Sequence, residues 1–362
     1  MRKYWVALSS IEEIGSSFIQ RLYHYFGDIE SAFNATDLSQ IEGLNIKKAE
    51  KYLRLRDKLD VDKIVAEVEN RGINYLTFDD EKYPRMLKNI DDPPSVIYYK
   101  GDLFGCNLDK TLAVVGSRRA TGYAREALAQ IISELNGTDI CIVSGLASGI
   151  DTTAHVSALD NNLKTVGVIA SGFDYTYPAA NKELYKRIEN GCGAVLSEYY
   201  PTFEPLKFRF PERNRIVTGI SYGTLVVEAA LKSGALISAN LTLEQGRELM
   251  CVPGLITNPN TEGIYKLLKN GATLVTEGDD ILNALGWEIK QPEQQKLNLD
   301  NRISNLEKEE SMILSAIEIE PKSFDCIQNE TKLSTDDLLT NLTTLELKGI
   351  IKQVEGDRYT KV

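Results

Sequence analysis

The sequence has few of the residues from which metal centres and disulfides are built. Its five cysteines include no CxxC pair, and only two histidines are present to complete a metal site. The cysteines are Cys106, Cys141, Cys192, Cys251 and Cys326, and the histidines are His24 and His155. We expect free thiols, no bound metal or other cofactor, and a reducing, cytoplasmic setting.

Long apolar runs are also absent. No uncharged apolar stretch reaches about 18 residues, so the sequence predicts no membrane span. The opening MRKYWVALSSIEEIG lacks the apolar core of a secretory signal. With 43% hydrophobic and 26% charged residues the chain has the composition of a soluble globular protein, and its 362 residues predict two or three domains.

An excess of positive charge is lacking as well. The formal net charge is -11, whereas nucleic-acid phosphates are normally bound by a basic face. This balance argues against nucleic acid as a partner unless the arginines gather in a local groove, so their positions decide the question.

The middle of the chain, residues 76–287, alternates short apolar strands with segments of helical length. The predicted strands are 95–99, 112–116, 140–144, 165–170, 193–198, 224–229, 248–253 and 272–276. Helix-length segments such as 123–135 and 238–246 lie between most of them. Strands that are apolar throughout and separated by helices indicate a parallel sheet covered on both faces. We therefore predict an α/β domain with a Rossmann-like parallel sheet.

Residues 1–75 are predicted to form a helical domain that precedes the sheet. Apolar residues recur there at three- and four-residue spacing, as amphipathic helices require. Residues 41–52 resemble the turn of a helix-hairpin-helix or SAM-like domain. A packing module without DNA contact is favoured, because Lys47 and Lys48 are the only basic pair near the turn.

A third module follows the sheet domain. Residues 288–309 are polar and nearly free of aromatics, which predicts a linker, and residues 310–362 predict three helices and a short hairpin, the pattern of a winged helix. Residues 307–362 hold seven basic against twelve acidic side chains. The recognition-helix position carries Asp336, Asp337 and Glu346, so we expect protein contact, or none, rather than DNA contact there.

Residues 112–122, LAVVGSRRATG, lead a strand into a glycine, a hydroxyl and two arginines. A second turn of this kind, SGLASGID, occupies 144–151. Glycines let backbone N–H groups approach a phosphate, and a helix start adds partial positive charge. Both turns follow strands, at the edge where parallel sheets bind ligands. They predict a phosphate site, although a turn without a ligand is the alternative for each one taken alone.

The loop 201–215 concentrates basic side chains on this acidic protein. It holds Lys207, Arg209, Arg213 and Arg215 against Glu204 and Glu212. Together with Arg118 and Arg119 these four form a predicted basic cluster. Phe208 and Phe210 are interleaved with it, and aromatic rings beside arginines suit unpaired, stacked bases. Structural ion pairs and core packing are the alternatives for these arginines and phenylalanines.

Catalytic motifs are missing around these turns. The sequence has no GxxxxGK[ST] loop, no glycine-triplet dinucleotide fingerprint and no HExxH or DxD cluster. Asp151 and His155 lie one helical turn apart, as an acid–base pair would, but a helix cap and a hydrogen-bonded core histidine are the favoured explanation. We predict phosphate binding without enzymatic activity.

Eight short motifs follow one another between about residue 100 and residue 287. They are GSR (116–118), SGLASGID..AH (144–155), YPAAN (177–181), FPERNRI (210–216), VVEA (226–229), SGALISA (233–239), QGRE (245–248) and VPG (252–254). In this order they resemble the bacterial DNA-processing protein A family, DprA/Smf, and the two flanking modules resemble that family's more loosely. The resemblance implies a cytoplasmic homodimer, joined through the Rossmann-like domain, that binds single-stranded DNA and helps load the recombinase RecA in natural transformation.

The resemblance also implies the residues of a DNA site. Arg118 would contact the strand, with Gly116 and Ser117 shaping its turn. The other implied residues are Ser144, Gly145, Ala147 and Gly149 through their backbones, Pro178 and Asn181, and Arg213, Asn214 and Arg215, to which we add Lys207 from the basic cluster. The family often has a basic residue where this chain has Ala179–Ala180, and Lys182 is the candidate substitute.

Two other function classes stay open. Nucleoside-monophosphate phosphoribohydrolases have a similar fold and the motif PGGxGTxxE, whose glutamate serves the glycosidic chemistry. This chain has GTLVVE at 223–228, and the extra residue before Glu228 would turn its carboxylate to the other face of a strand. A protein-only scaffold acting through the winged helix is the second, and it leaves the basic cluster unexplained.

Overall fold

A computed structural model describes residues 1–287, 306, 308–317, 322–348, 350–354 and 358–361. The chain divides into two compact units, Met1–Glu288 and Ile289–Val362. The predicted linker, residues 288–309, lies outside the described residues except at 306, 308 and 309.

The first unit begins with five helices, as the periodicity of residues 1–75 predicted. They are α1 (Arg2–Ser9), α2 (Ser16–Phe26), α3 (Ile29–Asn34), α4 (Ile46–Arg56) and α5 (Val61–Asn70). The side chains of Asp28, Asn45 and Asp60 accept backbone N–H groups at the starts of α3, α4 and α5. Trp5 and Leu22 belong to the same buried cluster as core residues of the sheet. The helices therefore share one hydrophobic core with the sheet domain.

A nine-stranded sheet forms the centre of this unit. The strands are β1 (Asn74–Thr77), β2 (Val96–Gly101), β3 (Thr111–Gly116), β4 (Cys141–Ser144), β5 (Lys164–Val168), β6 (Gly193–Ser197), β7 (Gly223–Val227), β8 (Glu248–Val252) and β9 (Thr273–Leu274). Their order is β1-β2-β6-β5-β4-β3-β7-β8-β9, and β3 to β9 pair in parallel. The predicted Rossmann-like sheet is confirmed.

The sheet is mostly parallel, with antiparallel strands at one edge. Strand β2 runs antiparallel to β6, and β1, which sequence reasoning did not predict, runs antiparallel to β2. An edge strand needs no crossover helix to set its direction, and an antiparallel edge on a parallel sheet is a frequent arrangement.

Helices cover both faces of the sheet. They are α6 (Arg85–Lys88), α7 (Gly122–Glu134), α8 (Ile150–Asp160), α9 (Lys182–Arg187), α10 (Arg209–Gly219), α11 (Gly234–Glu244), α12 (Glu262–Lys269) and α13 (Gly278–Leu285). Along β3, Ala113 and Val115 pack into one buried cluster while Leu112 and Val114 pack into the other. This alternation is why the strand is apolar throughout. Among the helices of the described residues, none is long and apolar enough to cross a bilayer.

The second unit has the predicted winged-helix order. Its helices are α14 (Lys308–Ala316), α15 (Phe324–Thr331) and α16 (Thr335–Leu347), and its strands are β10 (Lys322–Ser323), β11 (Ile351–Val354) and β12 (Arg358–Lys361). The strand order is β10-β12-β11. Ile313, Leu338 and Leu342 lie in its core. The first turn of α16 carries Asp336 and Asp337, so the recognition-helix position is acidic at its N-terminus.

Candidate nucleic-acid interface

The loops that follow β3, β4 and β7 meet at one edge of the sheet, because these strands are parallel neighbours. A cavity of about 600 Å³ opens there. It is lined by Val115, Gly116, Ser117, Arg118, Arg119, Ala147, Asp151, Arg213, Asn214, Ala230, Ser233, Gly234, Ala235, Ser238 and Asn260. The two glycine turns and the RNR segment predicted from the sequence therefore contribute to one site. We call this cavity and its lining residues the edge site.

The turn after β3 is held against the start of α8. The backbone N–H of Ile150 donates to the carbonyl oxygen of Ser117 at 3.1 Å. Gly149 has a φ of 85°, and a Cβ there would lie 2.2 Å from that carbonyl oxygen, so the approach requires glycine. Arg118 and Arg119 are exposed, and neither forms an ion pair with a carboxylate in the part of the chain that the structure describes.

Arg118 extends over an aromatic pair. Its guanidinium carbon lies 5.4 Å from the ring centre of Phe210, within cation–π range. The ring of Phe210 lies 5.3 Å from that of Tyr177 at an interplanar angle of 63°. Tyr177 is 50% exposed and Phe208 is 57% exposed. Phe208 is therefore not packed in the core, which was the alternative for it. Aromatic rings lie beside a cation at this edge of the sheet.

Arg213 lies at the base of the cavity rather than on its rim. It is buried, and its Nη1 donates to the carbonyl oxygens of Gly145, at 2.7 Å, and Val168. Burial lowers the pKa of this guanidinium, and the carboxylate of Asp151 opposes that shift. A Cβ on Gly145 would lie 2.6 Å from Nη2 of Arg213 and 2.7 Å from Oδ2 of Asp151, so only glycine lets both groups approach here.

Asp151 occupies part of the helix start that sequence reasoning assigned to a phosphate. Its Oδ2 accepts the backbone N–H of Ala147 at 3.3 Å. Burial raises the pKa of this carboxyl group, and Arg213 opposes the rise. The N–H of Ala147 thus has an acceptor within the chain, and a phosphate at this turn would have to compete with it.

Asn181 supports the second glycine turn from outside. It is buried, and its Nδ2 donates to the carbonyl oxygen of Leu146 at 2.9 Å and to Oγ1 of Thr152 at 3.0 Å. The peptide bond between Tyr177 and Pro178, near Asn181 in sequence, is cis. Lys182, the candidate substitute for the missing basic residue, is exposed at the start of α9.

Three residues of the predicted site or cluster are engaged elsewhere. Ser144 is fully buried, and its hydroxyl donates to the carbonyl oxygen of Val114 at 2.6 Å. Arg209 is buried and pairs with Glu12, in the turn between α1 and α2, at 2.5 Å. Arg215 pairs with Glu198 through two bonds of 2.7 Å. Charge counting could not show the two ion pairs, because their partners are distant in sequence. The guanidinium groups of Arg209 and Arg215 are committed within the chain, whereas the prediction for Ser144 concerns its backbone groups and stays a prediction.

Sequence reasoning missed Tyr177 and Ser233. Both belong to motifs given above. In YPAAN only Pro178 and Asn181 were assigned to the site, and in SGALISA no residue was. The buried hydroxyl of Ser233 lines the cavity and has no hydrogen-bond partner among the described residues. The available sequence signal for Tyr177 was an aromatic residue directly before a proline, whereas nothing in the sequence marks Ser233.

His155 is a core residue. Sequence reasoning favoured this role over an acid–base pair with Asp151. Its Nδ1 lies 2.7 Å from Oγ1 of Thr165, which itself donates to the carbonyl oxygen of Ile142 at 2.8 Å. The single hydroxyl proton of Thr165 is therefore committed, and Nδ1 of His155 must be the donor. Burial, with Arg213 nearby, lowers the pKa of His155 to about 3.

Glu228 does not line the large cavity. Its Oε2 accepts the backbone N–H of Thr121 at 3.0 Å and the Thr121 hydroxyl at 2.5 Å, so it holds the turn before α7. Groups of three or more side chains that could bind a metal are absent from the described residues. The phosphoribohydrolase alternative is not favoured, because its glutamate has a structural task here.

Comparison with known proteins places the chain among related sequences and structures. A sequence model of the family "DNA recombination-mediator protein A" matches residues 74–286, and one of the DprA winged-helix domain matches residues 299–357. Protein Smf of Synechocystis is 32% identical, covering 99% of this chain and 98% of that protein. The DNA processing protein DprA of Streptococcus pneumoniae is 44% identical over 203 residues, covering 56% of this chain and 71% of its own length.

Two solved structures are similar as well. The X-ray structure of DprA from Streptococcus pneumoniae has a TM-score of 0.65 and 34% identity, covering 77% of this chain and 95% of its own. A structure of DprA from Helicobacter pylori, described by its single-stranded DNA binding mode, has a TM-score of 0.53 and 29% identity, covering 59% and 95%. The family model and these relatives support a DNA-processing recombination mediator. The chain belongs to the DprA/Smf family.

Arg215 should matter for stability. Arg215→Ala leaves Glu198 buried without its partner, which should lower the free energy of unfolding by about 3 kcal/mol. Burial lowers the pKa of Arg215, but the charge of Glu198 and its hydrogen bonds, together with Asp92, raise it by more. The net shift is upward, as a strong ion pair requires. Arg118→Ala, at an exposed position, should change stability by less than about 0.5 kcal/mol. Urea unfolding of both variants measures this, and equal losses would contradict it.

Acid should destabilise the fold through His155. The folded protein keeps this imidazole neutral to about pH 3, because its pKa is lowered to about 3, whereas the unfolded chain protonates it at its ordinary pKa of about 6.5. The unfolded state therefore binds more protons between these values, and stability falls as pH falls. From about pH 6.5 to about pH 4.5 this residue should cost about 2 kcal/mol.

Urea unfolding at both pH values tests this contribution. His155→Gln should lose about 2 kcal/mol less over the interval than the unchanged protein does. The comparison between the two proteins cancels the titration of the carboxylates. An equal loss in both would show that His155 does not carry the acid sensitivity.

Proposed function

We propose that this protein binds single-stranded DNA across the edge site and, as a recombination mediator, helps load RecA onto it during natural transformation. The observation that carries the proposal is Arg118 beside the Phe210–Tyr177 pair, with Arg119 exposed on the same turn and neither arginine in an ion pair among the described residues. The single-stranded DNA binding reported for the similar Helicobacter pylori protein supports it. A cytoplasmic setting is part of the proposal and rests on the free cysteines.

The strand path follows from where the cations and rings lie. Phosphates would contact Arg118 and Arg119, and the exposed Lys182 and Lys207 are further candidates for phosphate contact. Bases would stack on Phe210, Tyr177 and Phe208, since every base has a face that an aromatic ring can accept. Gly116, Ser117, Gly145, Ala147, Gly149, Pro178, Asn181, Arg213 and Asn214 would shape the floor and walls.

We propose that the site acts by binding alone. Asp151 is the acidic residue that lines the cavity, and it accepts the N–H of Ala147 and faces Arg213. A carboxylate committed to holding the loop in this way is poorly placed to move protons on a substrate.

Arg118→Ala should weaken binding to single strands of all sequences alike. Loss of one phosphate contact should reduce the slope of log affinity against log salt by about 0.7, with affinity falling about tenfold at low salt. Fluorescence anisotropy with labelled oligo-dT and the matching duplex, at several salt concentrations, measures both. The protein should prefer the single strand.

Arg125→Ala is the matched control, because Arg125 is an exposed arginine on α7 outside the cavity. It should keep the affinity and salt slope of the unchanged protein. Equal binding by the Arg118 and Arg125 variants would remove Arg118 from the site. Absence of binding at low salt would refute the proposed function.

We further propose that a second copy of the chain covers an apolar face of the sheet domain. A groove of about 650 Å³ lies between α11 and α12. Leu231, Ile237 and Leu243 line it and are exposed, and Leu274 is exposed on the nearby edge strand β9. Isolated apolar side chains are common on surfaces, but a group beside an edge strand is typical of an interface.

Leu274→Arg should convert the dimer to a monomer, because a second copy would have to bury an unpaired charge. Light scattering coupled to size-exclusion chromatography measures the mass. Lys269→Arg, an exposed position on α12 where charge is kept, is the control and should stay dimeric. A dimer that survives Leu274→Arg would place the interface elsewhere.

A further inference from the structure

The aromatic pair beside the edge site is carried by two different loops. Tyr177 belongs to the loop that follows β5, and Phe210 lies in the first turn of α10, after the loop that follows β6. Ordering a loose side chain costs free energy on binding, so each ring serves a base best when its loop already holds it in place. What fixes these two loops therefore bears on the affinity of the proposed DNA site.

The two loops are bonded to each other through their backbones. The N–H of Gly172 donates to the carbonyl oxygen of Phe203 at 2.7 Å, and the N–H of Asp174 donates to that of Pro201 at 3.0 Å. A Cβ on Gly172 would lie 2.2 Å from the carbonyl oxygen of Pro201, so the approach requires glycine. The short segment that leads to Tyr177 thus starts from a fixed point at Asp174.

The end of helix α5 contacts both loops. Arg71, which caps this helix, donates from Nε to Oδ1 of Asp174 at 3.1 Å and from Nη2 to Oδ2 at 3.3 Å. Its Nη1 donates to the carbonyl oxygen of Glu67 at 2.8 Å. The hydroxyl of Tyr200, in the loop after β6, donates to Oε2 of Glu67 at 3.1 Å. All three nitrogens of the Arg71 guanidinium therefore have acceptors within the chain, and Arg71 does not line the edge site.

A second ion pair joins the N-terminal part of the chain to the start of α10. The side chain of Arg209 is 3% exposed and pairs with Glu12, in the turn between α1 and α2. Phe210 is the next residue, and Tyr177 comes three residues after Asp174. Both rings of the pair therefore stand within three residues of a contact with the N-terminal helical domain.

We propose that Arg71 is a positioning residue for the DNA site: through Asp174 it fixes the loop on which Tyr177 stands beside Phe210. The proposal rests on the proposed function, because it concerns the same site. It gives the N-terminal helices a part in single-strand binding without a contact to DNA. The side chains of Arg71 and Asp174 are 32% and 39% exposed, and such pairs contribute modestly. Loss of the pair should therefore weaken binding rather than abolish it.

The test removes each charge of the pair in turn. Arg71→Gln and Asp174→Asn should each weaken binding of labelled oligo-dT about two- to fivefold, and the double variant should bind no more weakly than either single variant. An attraction of Arg71 for phosphates would give the two changes opposite signs, because Asp174→Asn removes a negative charge and would tighten binding. Fluorescence anisotropy at several salt concentrations measures the affinity. The salt slope should stay unchanged, since no phosphate contact is lost.

Tyr177→Ala shows whether the effect passes through the ring. If Arg71 acts by placing Tyr177, Arg71→Gln should have no further effect on the affinity of the Tyr177→Ala protein. Arg71→Lys, which keeps a cation beside Asp174, should retain most of the affinity of the unchanged protein.

Asp139→Asn is the matched control. Asp139 forms an ion pair of similar exposure with Lys110 at 2.8 Å. The two residues precede β4 and β3, at the edge of the sheet opposite the proposed DNA site. The variant removes the same charge as Asp174→Asn and should bind oligo-dT as the unchanged protein does.

The outcomes separate this inference from the proposed function. Full affinity in both single variants, shifts of opposite sign, or an undiminished loss in the Tyr177→Ala protein would each overturn the role of Arg71 and leave single-strand binding intact. Absence of binding by the unchanged protein would overturn both. Urea unfolding should show all variants folded under the titration conditions, because the substituted side chains are half-exposed.

Discussion

The guanidinium of Arg213 holds together the edge of the sheet on which the proposed DNA site is built. It binds the carbonyl oxygens of Gly145, just after β4, and of Val168 at the end of β5, and it faces Asp151 at the start of α8 across Gly145. A buried cation is tolerated only when its donors are satisfied and an opposite charge lies near. The arrangement therefore constrains α10, two strand ends and the second glycine turn at once.

That constraint separates the arginines by task. Arg213 organises the floor, Arg209 ties the start of α10 to Glu12 in the turn between α1 and α2, and Arg215 is bound to Glu198. Arg118 and Arg119 stand on the turn that the floor supports, and their charge faces outward. An acidic protein can in this way present a small basic site, because the field near exposed cations is set by their immediate neighbours more than by the net charge.

Glu228 shows how a fold shared with enzymes can carry a different task. In this chain its carboxylate holds Thr121 with one oxygen, and the other oxygen is buried. The same residue thus stabilises the turn that carries Arg118. Function here lies in the placement of single side chains on a widely used fold.

The sequence by itself determined the parallel sheet, the winged helix and the meeting of the glycine turns at one edge, because apolar periodicity and strand-to-helix order are local properties. It assigned Arg118 and Arg213 to one region, and both line the same cavity. Tertiary structure alone decided that Arg209 and Arg215 pair internally, that Ser144 is buried, that β2 is antiparallel and that Tyr177 stands beside Phe210. Those outcomes depend on partners far away in sequence, such as Glu12 for Arg209, and distance along the chain carries no record of such contacts.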